Sequence, residues 1–281
     1  MKTALCISGP EIGAIVPVAL LEGSFSEKLS KAALFGFQGV EIMITDPSHI
    51  DVSNLKMELK SLHISVAAIS TGAMASIQGL TLIAKDNSVM LESHRRLLEL
   101  IAFAHELSAP VVTIGSFRGR MASIGTIDEG IGKLKEILSQ AGGEAEALGV
   151  SLAIEPINRY EADFLHTAEE TTQFINEIGG GGIGLLLDTF HMNIEEISLV
   201  ECFRSILKQQ QLVHVHLGDS NRLVPGRGHI EFGSIFDMLN EFKYEGFVSA
   251  ELYAKPSADL AAKETIEAIR RFTNNFSPTS V

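Results

Sequence analysis

The sequence predicts a closed (β/α)8 barrel, on three observations. Eight short apolar runs rich in β-branched residues alternate with segments of helical period. No Gly-x-Gly-x-x-Gly fingerprint follows any of the runs, which argues against an open dinucleotide-binding sheet. The length of 281 residues is close to the roughly 250 typical of one such barrel. The runs are Thr3–Ser8, Gly39–Ile44, Ile64–Ser70, Pro110–Gly115, Val150–Glu155, Ile183–Asp188, Leu212–Leu217 and Phe247–Leu252. Near-continuous apolar strands of this kind belong to parallel sheets covered by helices. Between them lie helical stretches such as Ser88–Leu107, Ile127–Leu148, Ala168–Ile178 and Ser257–Phe276. No Pro/Gly/Ser-rich linker interrupts the rhythm, so residues 1–281 are read as a single domain. The glycine run Gly179–Gly182 follows a helix and precedes a strand. That position suits a helix C-cap and turn, whereas a phosphate-cradling loop would follow a strand and open a helix.

Composition narrows the function classes. An apolar fraction of 46% suffices for a large core, and the formal charge of −13 disfavours nucleic acid, whose binding depends on Lys and Arg neutralising phosphates. The two cysteines, Cys6 and Cys202, are far apart and outside any CxxC spacing, so reduced buried thiols are expected. The apolar run Ile12–Leu21 is broken by Gly13 and Pro17 and is too short to span a membrane. It has neither a charged stretch directly before it nor a cleavage site, so neither a signal peptide nor membrane association is expected, and the expected location is cytoplasmic.

In a (β/α)8 barrel the chemistry sits at the C-terminal ends of the strands. The last four runs end on Glu155, Asp188, His216 and Glu251, spaced 33, 28 and 35 residues apart, each gap about one βα unit. One carboxylate at a strand end often does no more than cap the next helix. Four consecutive strands, each delivering a potential ligand to one rim, point to a metal site. Three carboxylates and one imidazole form an oxygen-rich set that suits Mn²⁺, Mg²⁺ or Co²⁺ better than a thiolate-selected ion. Side chains repeat every two residues along a strand, so His214 shares the face of His216 one layer deeper, as a hydrogen-bonded interior residue. Ser249 and Phe247 lie beneath Glu251 for the same reason, with Ala250 and Val248 toward the helices.

The residues around these four form longer motifs: Glu155-Pro-Ile-Asn-Arg-Tyr-Glu161, Asp188-Thr-Phe-His191-Met-Asn and His216-Leu-Gly-Asp-Ser-Asn-Arg222. The chain thereby resembles the xylose isomerase-like barrel superfamily, and within it the ketose 3-epimerases of the D-tagatose and D-psicose 3-epimerase group. Segments Glu41-Ile-Met-Ile-Thr-Asp-Pro-Ser, Ser70-Thr-Gly-Ala, Gly115-Ser-Phe-Arg-Gly-Arg120 and Pro225-Gly-Arg-Gly-His-Ile-Glu-Phe232 are similar to the 5-keto-L-gluconate epimerase branch, which acts on keto-uronates. Arg227 departs from that branch, where a small or neutral residue is expected. The resemblance implies that Glu155 and Glu251 are both metal ligands and catalytic acid/bases, and that Asp188 and His216 complete the ligand set. It implies that Glu161, His191 and Arg222 bind the substrate around its carbonyl and terminal oxygens, and that the protein is a homodimer or homotetramer.

The expected reaction is inversion of the carbon next to a ketone in a small keto-sugar or sugar acid. A base on one face and an acid on the other are needed, and Glu155 and Glu251 suit that pair. His191 could hydrogen-bond the carbonyl oxygen. Arg118 and Arg120, on the loop leaving the fourth run beside Glu155, are candidates for a substrate carboxylate, which a planar guanidinium matches with two parallel hydrogen bonds. Three alternatives remain open at this level. An aldose–ketose isomerase of the hydroxypyruvate type would use the same two glutamates. A multi-zinc abasic-site nuclease needs further histidines at the third and fourth runs, which here lead into Ser70-Thr71-Gly72 and Gly115-Ser116-Phe117. A non-catalytic sugar-binding barrel would leave the paired glutamates without purpose.

Overall fold

The structure, a computed structural model, describes residues 1–274. Eight strands alternate with nine helices among these residues: β1 (Lys2–Ser8), α1 (Phe25–Phe35), β2 (Gly39–Met43), α2 (Val52–Leu62), β3 (Ser65–Ser70), α3 (Asn87–Glu106), β4 (Val111–Ile114), α4 (Ile127–Ala147), β5 (Ser151–Ile154), α5 (Ala168–Ile178), β6 (Ile183–Asp188), α6 (Thr189–Glu195), α7 (Leu199–Lys208), β7 (Leu212–Leu217), α8 (Phe232–Glu241), β8 (Phe247–Ala250) and α9 (Ala258–Asn274). All neighbouring strands pair in parallel, and β8 pairs back onto β1 in register Lys2 with Phe247 and Leu5 with Ala250, which closes the barrel. All eight expected runs are strands. The last expected helix, Ser257–Phe276, is present from Ala258, and its final two residues lie outside the described residues, as does the rest of the expected domain to Val281.

The alternation of each strand separates two layers. Outward residues such as Leu5, Ile7, Leu152, Ile154, Leu185, Leu187, Val215 and Val248 belong to the main core between sheet and helices. Inward residues fill the barrel from below: Ala4, Ala67 and Phe247 pack at the base, and Ala68, Val111, Ala153 and Leu186 above them. Toward the C-terminal end the interior turns polar, with Glu41, His214, His216 and Ser249 all buried. Capping boxes start α1 (Ser24 with Glu27), α4 (Thr126 with Glu129) and α5 (Thr167 with Glu170), each satisfying two orphan backbone donors. No helix among the described residues is long and apolar enough to cross a membrane.

The glycine run behaves as a C-cap and turn. Gly179 caps α5, and Gly179, Gly180 and Gly182 have positive φ. A Cβ at Gly182 would lie 2.2 Å from the Gly142 carbonyl oxygen, whereas one at Gly180 would meet nothing within 4 Å. Both positions carry the left-handed penalty for an L side chain, but only Gly182 adds a backbone collision. Gly180→Ala is therefore expected to cost about 1 kcal/mol and Gly182→Ala at least about 1 kcal/mol more, read as a shift in urea midpoint at constant m-value.

Candidate active site

The four expected ligands converge. Glu155 and Glu251 are the first residues beyond β5 and β8, still tied to the barrel because their N–H groups donate to Ile114 O and Leu217 O on the neighbouring strands. One ligand atom from each of Glu155, Asp188, His216 and Glu251 lies within 4.8 Å of those of the other three, and all four residues are buried. His216 Nδ1 is 3.5 Å from Glu155 Oε1, 3.8 Å from Asp188 Oδ2 and 3.5 Å from Glu251 Oε2. Donors about 2.1 Å from one ion lie roughly 3.0–3.5 Å apart in octahedral or tetrahedral geometry, so a small contraction seats a cation. Glu155 Oε1, Asp188 Oδ2 and His216 Nδ1 are buried without any hydrogen-bond partner. Such groups are costly to bury unsatisfied. A divalent cation at their common point would satisfy all three.

Two of the four side chains, Asp188 and His216, are aimed by contacts on their far sides. Asp188 is the N-cap of α6: its Oδ1 accepts from Phe190 N at 2.7 Å and His191 N at 3.3 Å, which turns Oδ2 toward the cluster. One carboxylate thus caps a helix and serves the site. His216 Nε2 donates to Glu41 at 3.0 Å, so the Nδ1 lone pair faces the other ligands. Glu41 on β2 also contacts His214 Nε2 at 2.9 Å, which makes His214 the interior hydrogen-bonding residue that strand alternation predicts. Burial would raise the Glu41 carboxyl, but His216 and His214 outweigh it and hold it well below the usual range. Cys6, close to Glu41 and His216, is raised by burial and by Glu41, which keeps it a thiol rather than a soft thiolate ligand.

The electrostatics of the four reflect crowding. Burial opposes protonation of His216, yet the charges of Glu41 and Glu251 and the nearby carboxylate of Glu155 hold its pKa well above the ordinary imidazole value. Burial pushes Glu251 up, and His216 and Arg222 reverse it, to about 2. Asp188 is raised, first by burial and then by Glu155 and Glu251, beyond what His191 and Arg222 offset.

Of the expected substrate-binding residues, His191, Glu161 and Arg222 line the same cavity of about 270 Å³ as Glu155, His216 and Glu251. Arg222 has φ of 58°, places its guanidinium 4.8 Å over the Phe190 ring, and pairs with Glu251 through Nη2. Its loop is held by Asp219, whose fully buried carboxylate accepts the N–H groups of Ser220, Gly226, Gly228 and Ile230. Arg118 is 1% exposed and lines not this cavity but the adjoining pocket; its guanidinium donates to the carbonyls of Gly115, Glu155, Phe164 and Leu165, fastening the loop after β4 to the loop after β5. Burial lowers it to about 10 against the raising influence of Glu155 and Asp163. Arg120 is exposed, donates to Glu161 O at 3.1 Å, and lines an adjoining pocket of about 410 Å³ that shares Ser116, Ile157 and Glu161 with the first. Arg227 pairs with Glu264 on α9. Glu41, Asn158 and Asp219 escaped the sequence reading as site residues. Glu41 had a signal, a charge at an inward position of an apolar strand.

The multi-zinc nuclease alternative lacks its histidines: β3 and β4 lead into Ser70-Thr71-Gly72 and Gly115-Ser116-Phe117. The geometry is that of a barrel enzyme able to hold one divalent cation between two flanking glutamates. The profile of the family described as xylose isomerase-like TIM barrel matches residues 29–272, and the chain belongs to that family. L-ribulose 3-epimerase of Mesorhizobium japonicum is 30% identical over 226 residues, covering 80% of this chain and 74% of that protein. D-psicose 3-epimerase of Enterocloster bolteae is 38% identical over 119 residues, 42% of this chain, and the chain spans only 39% of that relative's length. Among solved structures, D-psicose 3-epimerase of Clostridium cellulolyticum with D-tagatose has a TM-score of 0.75 at 23% identity, over 99% of this chain and 93% of that one, a likeness of fold. These homologues are named as sugar epimerases, and the chain is similar to the ketose 3-epimerases among them.

Metal binding needs a neutral His216, so the ion must displace a proton held more tightly than usual. Metal affinity is therefore expected to rise with pH up to the raised pKa of His216, with release of about one proton in calorimetric titrations with Mn²⁺ in buffers of different ionisation enthalpy. The metal-free protein runs the other way: the stability from a protonated His216 is complete below the unfolded value of about 6.5 and is lost as pH rises through the folded one. Glu41→Gln, which removes the charge behind His216, is expected to weaken metal binding about 10- to 100-fold.

Proposed function

We propose that the protein is a divalent-metal-dependent epimerase that inverts the carbon next to the ketone of a keto-sugar or keto-uronate, with Mn²⁺ as its ion and Mg²⁺ or Co²⁺ as substitutes. The observation that carries this reading is the pair of glutamates flanking a cluster whose buried donor atoms lack partners, with His191 and Arg222 facing the same cavity. Glu155, Asp188, His216 and Glu251 would hold the cation, which when bound supplies Lewis-acid stabilisation to the oxygens of the substrate.

A hydrogen next to a ketone is only weakly acidic. Glu251, kept ionised by His216 and Arg222, takes that proton from one face, and the electron pair left on carbon moves toward the carbonyl oxygen to give an enediolate. His191 and Arg222 donate hydrogen bonds to the oxygen that gains charge. Glu155, entering as the carboxylic acid, then delivers its proton to the opposite face of the same carbon, and the configuration is inverted. The two glutamates end with exchanged protonation and reset through solvent; the reverse reaction exchanges their roles. Glu161 holds substrate hydroxyls at the edge of the cavity. A homodimer or homotetramer in the cytoplasm belongs to the same reading, supported by the resemblance and the composition.

The substrate's far end is proposed to be anionic. Lys85 and Arg120 line the adjoining pocket, and neither has an ion-pair partner among the described residues. Arg120→Ala is expected to raise KM for a keto-uronate roughly 10-fold or more while barely changing turnover of a neutral ketose; equal effects on both would favour a neutral substrate. Arg118→Ala, in contrast, should lower the stability of the enzyme and its activity toward both.

Incubation of the metal-loaded enzyme in D₂O with ketohexoses and keto-uronates, followed by NMR, tests the reaction itself. Deuterium is expected at the carbon next to the ketone together with the inverted sugar; deuterium with an aldose product would instead indicate an aldose–ketose isomerase. Glu155→Gln and Glu251→Gln should each lower turnover at least about 100-fold at saturating metal, and near-normal turnover in either would refute the two-glutamate scheme.

A further inference from the structure

Asn158, in the loop after β5, is 1% exposed, and its amide is oriented by three contacts. Its Oδ1 accepts from Tyr160 N at 3.0 Å. Its Nδ2 donates to Glu161 Oε1 at 2.9 Å and lies 2.7 Å from His191 Nδ1. A flipped amide would set oxygen against the Glu161 carboxylate and the amino group against a backbone N–H, so the amino group must face both side chains. His191 Nδ1 therefore meets a donor and has to be the acceptor, and the backbone N–H of Asn158 points at the same nitrogen from 3.5 Å. A neutral imidazole with Nδ1 accepting carries its hydrogen on Nε2.

That nitrogen lies 4.0 Å from Glu155 Oε1 and 3.3 Å from Arg222 Nη1. Taken alone, the arginine contact would favour the opposite tautomer, with Nε2 accepting. It is the longer of the two, however, and the opposite tautomer would force two donors together at 2.7 Å. The result is a pair of adjacent donors, Nε2–H and the Arg222 guanidinium, both turned to the cavity and both needing an acceptor. One oxygen gaining negative charge satisfies both.

We propose that Asn158 is a positioning residue that fixes His191 as its Nε2–H tautomer, so that the cavity receives a hydrogen-bond donor beside Arg222 rather than a lone pair. The same amide holds Glu161, so one buried side chain aligns two groups that face the substrate. The proposal rests on the role given above to His191 and would act on turnover through it.

The test uses the full chain loaded with diamagnetic Mg²⁺ and labelled with [¹⁵N]histidine. Long-range ¹H–¹⁵N correlation spectra report which ring nitrogen carries hydrogen, and His191→Gln identifies the His191 signals by their loss. In the wild type, Nδ1 is expected to be unprotonated and Nε2 protonated. Asn158→Asp replaces the donor with an acceptor of the same shape and is expected to bring hydrogen onto Nδ1. With a turned-over substrate, kcat should then fall about 100-fold, the scale of losing one donor to a developing oxyanion, while KM and metal affinity change little. A wild-type His191 with hydrogen on Nδ1 overturns the proposal without any variant having to fold. A switch of tautomer that leaves kcat unchanged overturns it as well. The spectra need no turnover, so they separate failure of this assignment from failure of the epimerase reading.

Discussion

Three carboxylates and an imidazole share a buried space less than 5 Å across, and the rest of the upper barrel is organised around that crowding. Like charges so close in a desolvated pocket cannot all ionise without compensation. Arg222 and His216 supply part of it: the first pairs with Glu251 and lies 3.7 Å from Asp188, and the second sits among all three carboxylates. Three donor atoms still point at one spot with no partner. A divalent cation is the group whose charge and coordination number fit what is left over.

Compensation extends outward in shells of fixed contacts. Glu41 stands behind His216, the first turn of α6 behind Asp188, and the Asp219-centred loop behind Arg222. Glu41 and Asp219 do not line the cavity, yet each helps determine which atom of an inner group does. Buried polar networks of this kind rigidify a site only when every member is satisfied, and among the atoms left unsatisfied here are Glu155 Oε1, Asp188 Oδ2 and His216 Nδ1, which a cation would meet.

The barrel explains why such a site can be built at all. Small residues in the two lower layers, Ala4, Ala67, Ala68 and Ala153, let the interior close tightly around Phe247 and Leu186. The cost of polar groups is confined to the upper layers, where strand ends and helix starts offer backbone partners. Arg118 shows the same economy in the loops: a cation with no ion-pair partner among the described residues gathers four carbonyls from the segments that follow β4 and β5.

Residues whose placement follows from local periodicity were legible from the amino-acid sequence by itself. Strand alternation and the spacing of one ligand per βα unit located Glu155, Asp188, His216 and Glu251, and put His214 one layer below, because a two-residue repeat and a closed parallel sheet leave those side chains no other face. The glycine run was legible as a cap because chain conformation alone demands positive φ there. Tertiary structure decided what depends on distant partners. Arg118 and Arg120 differ by two positions, share a motif and line the same adjoining pocket, yet one is buried with its guanidinium among backbone carbonyls and the other is exposed; the carbonyls that capture Arg118 come largely from residues 37 to 47 positions away. Glu41 meets its histidines across 173 and 175 residues. Asn158 is set by His191, 33 residues away. Side-chain chemistry names what a residue can bind, but which of its partners is within reach is settled only when the barrel closes.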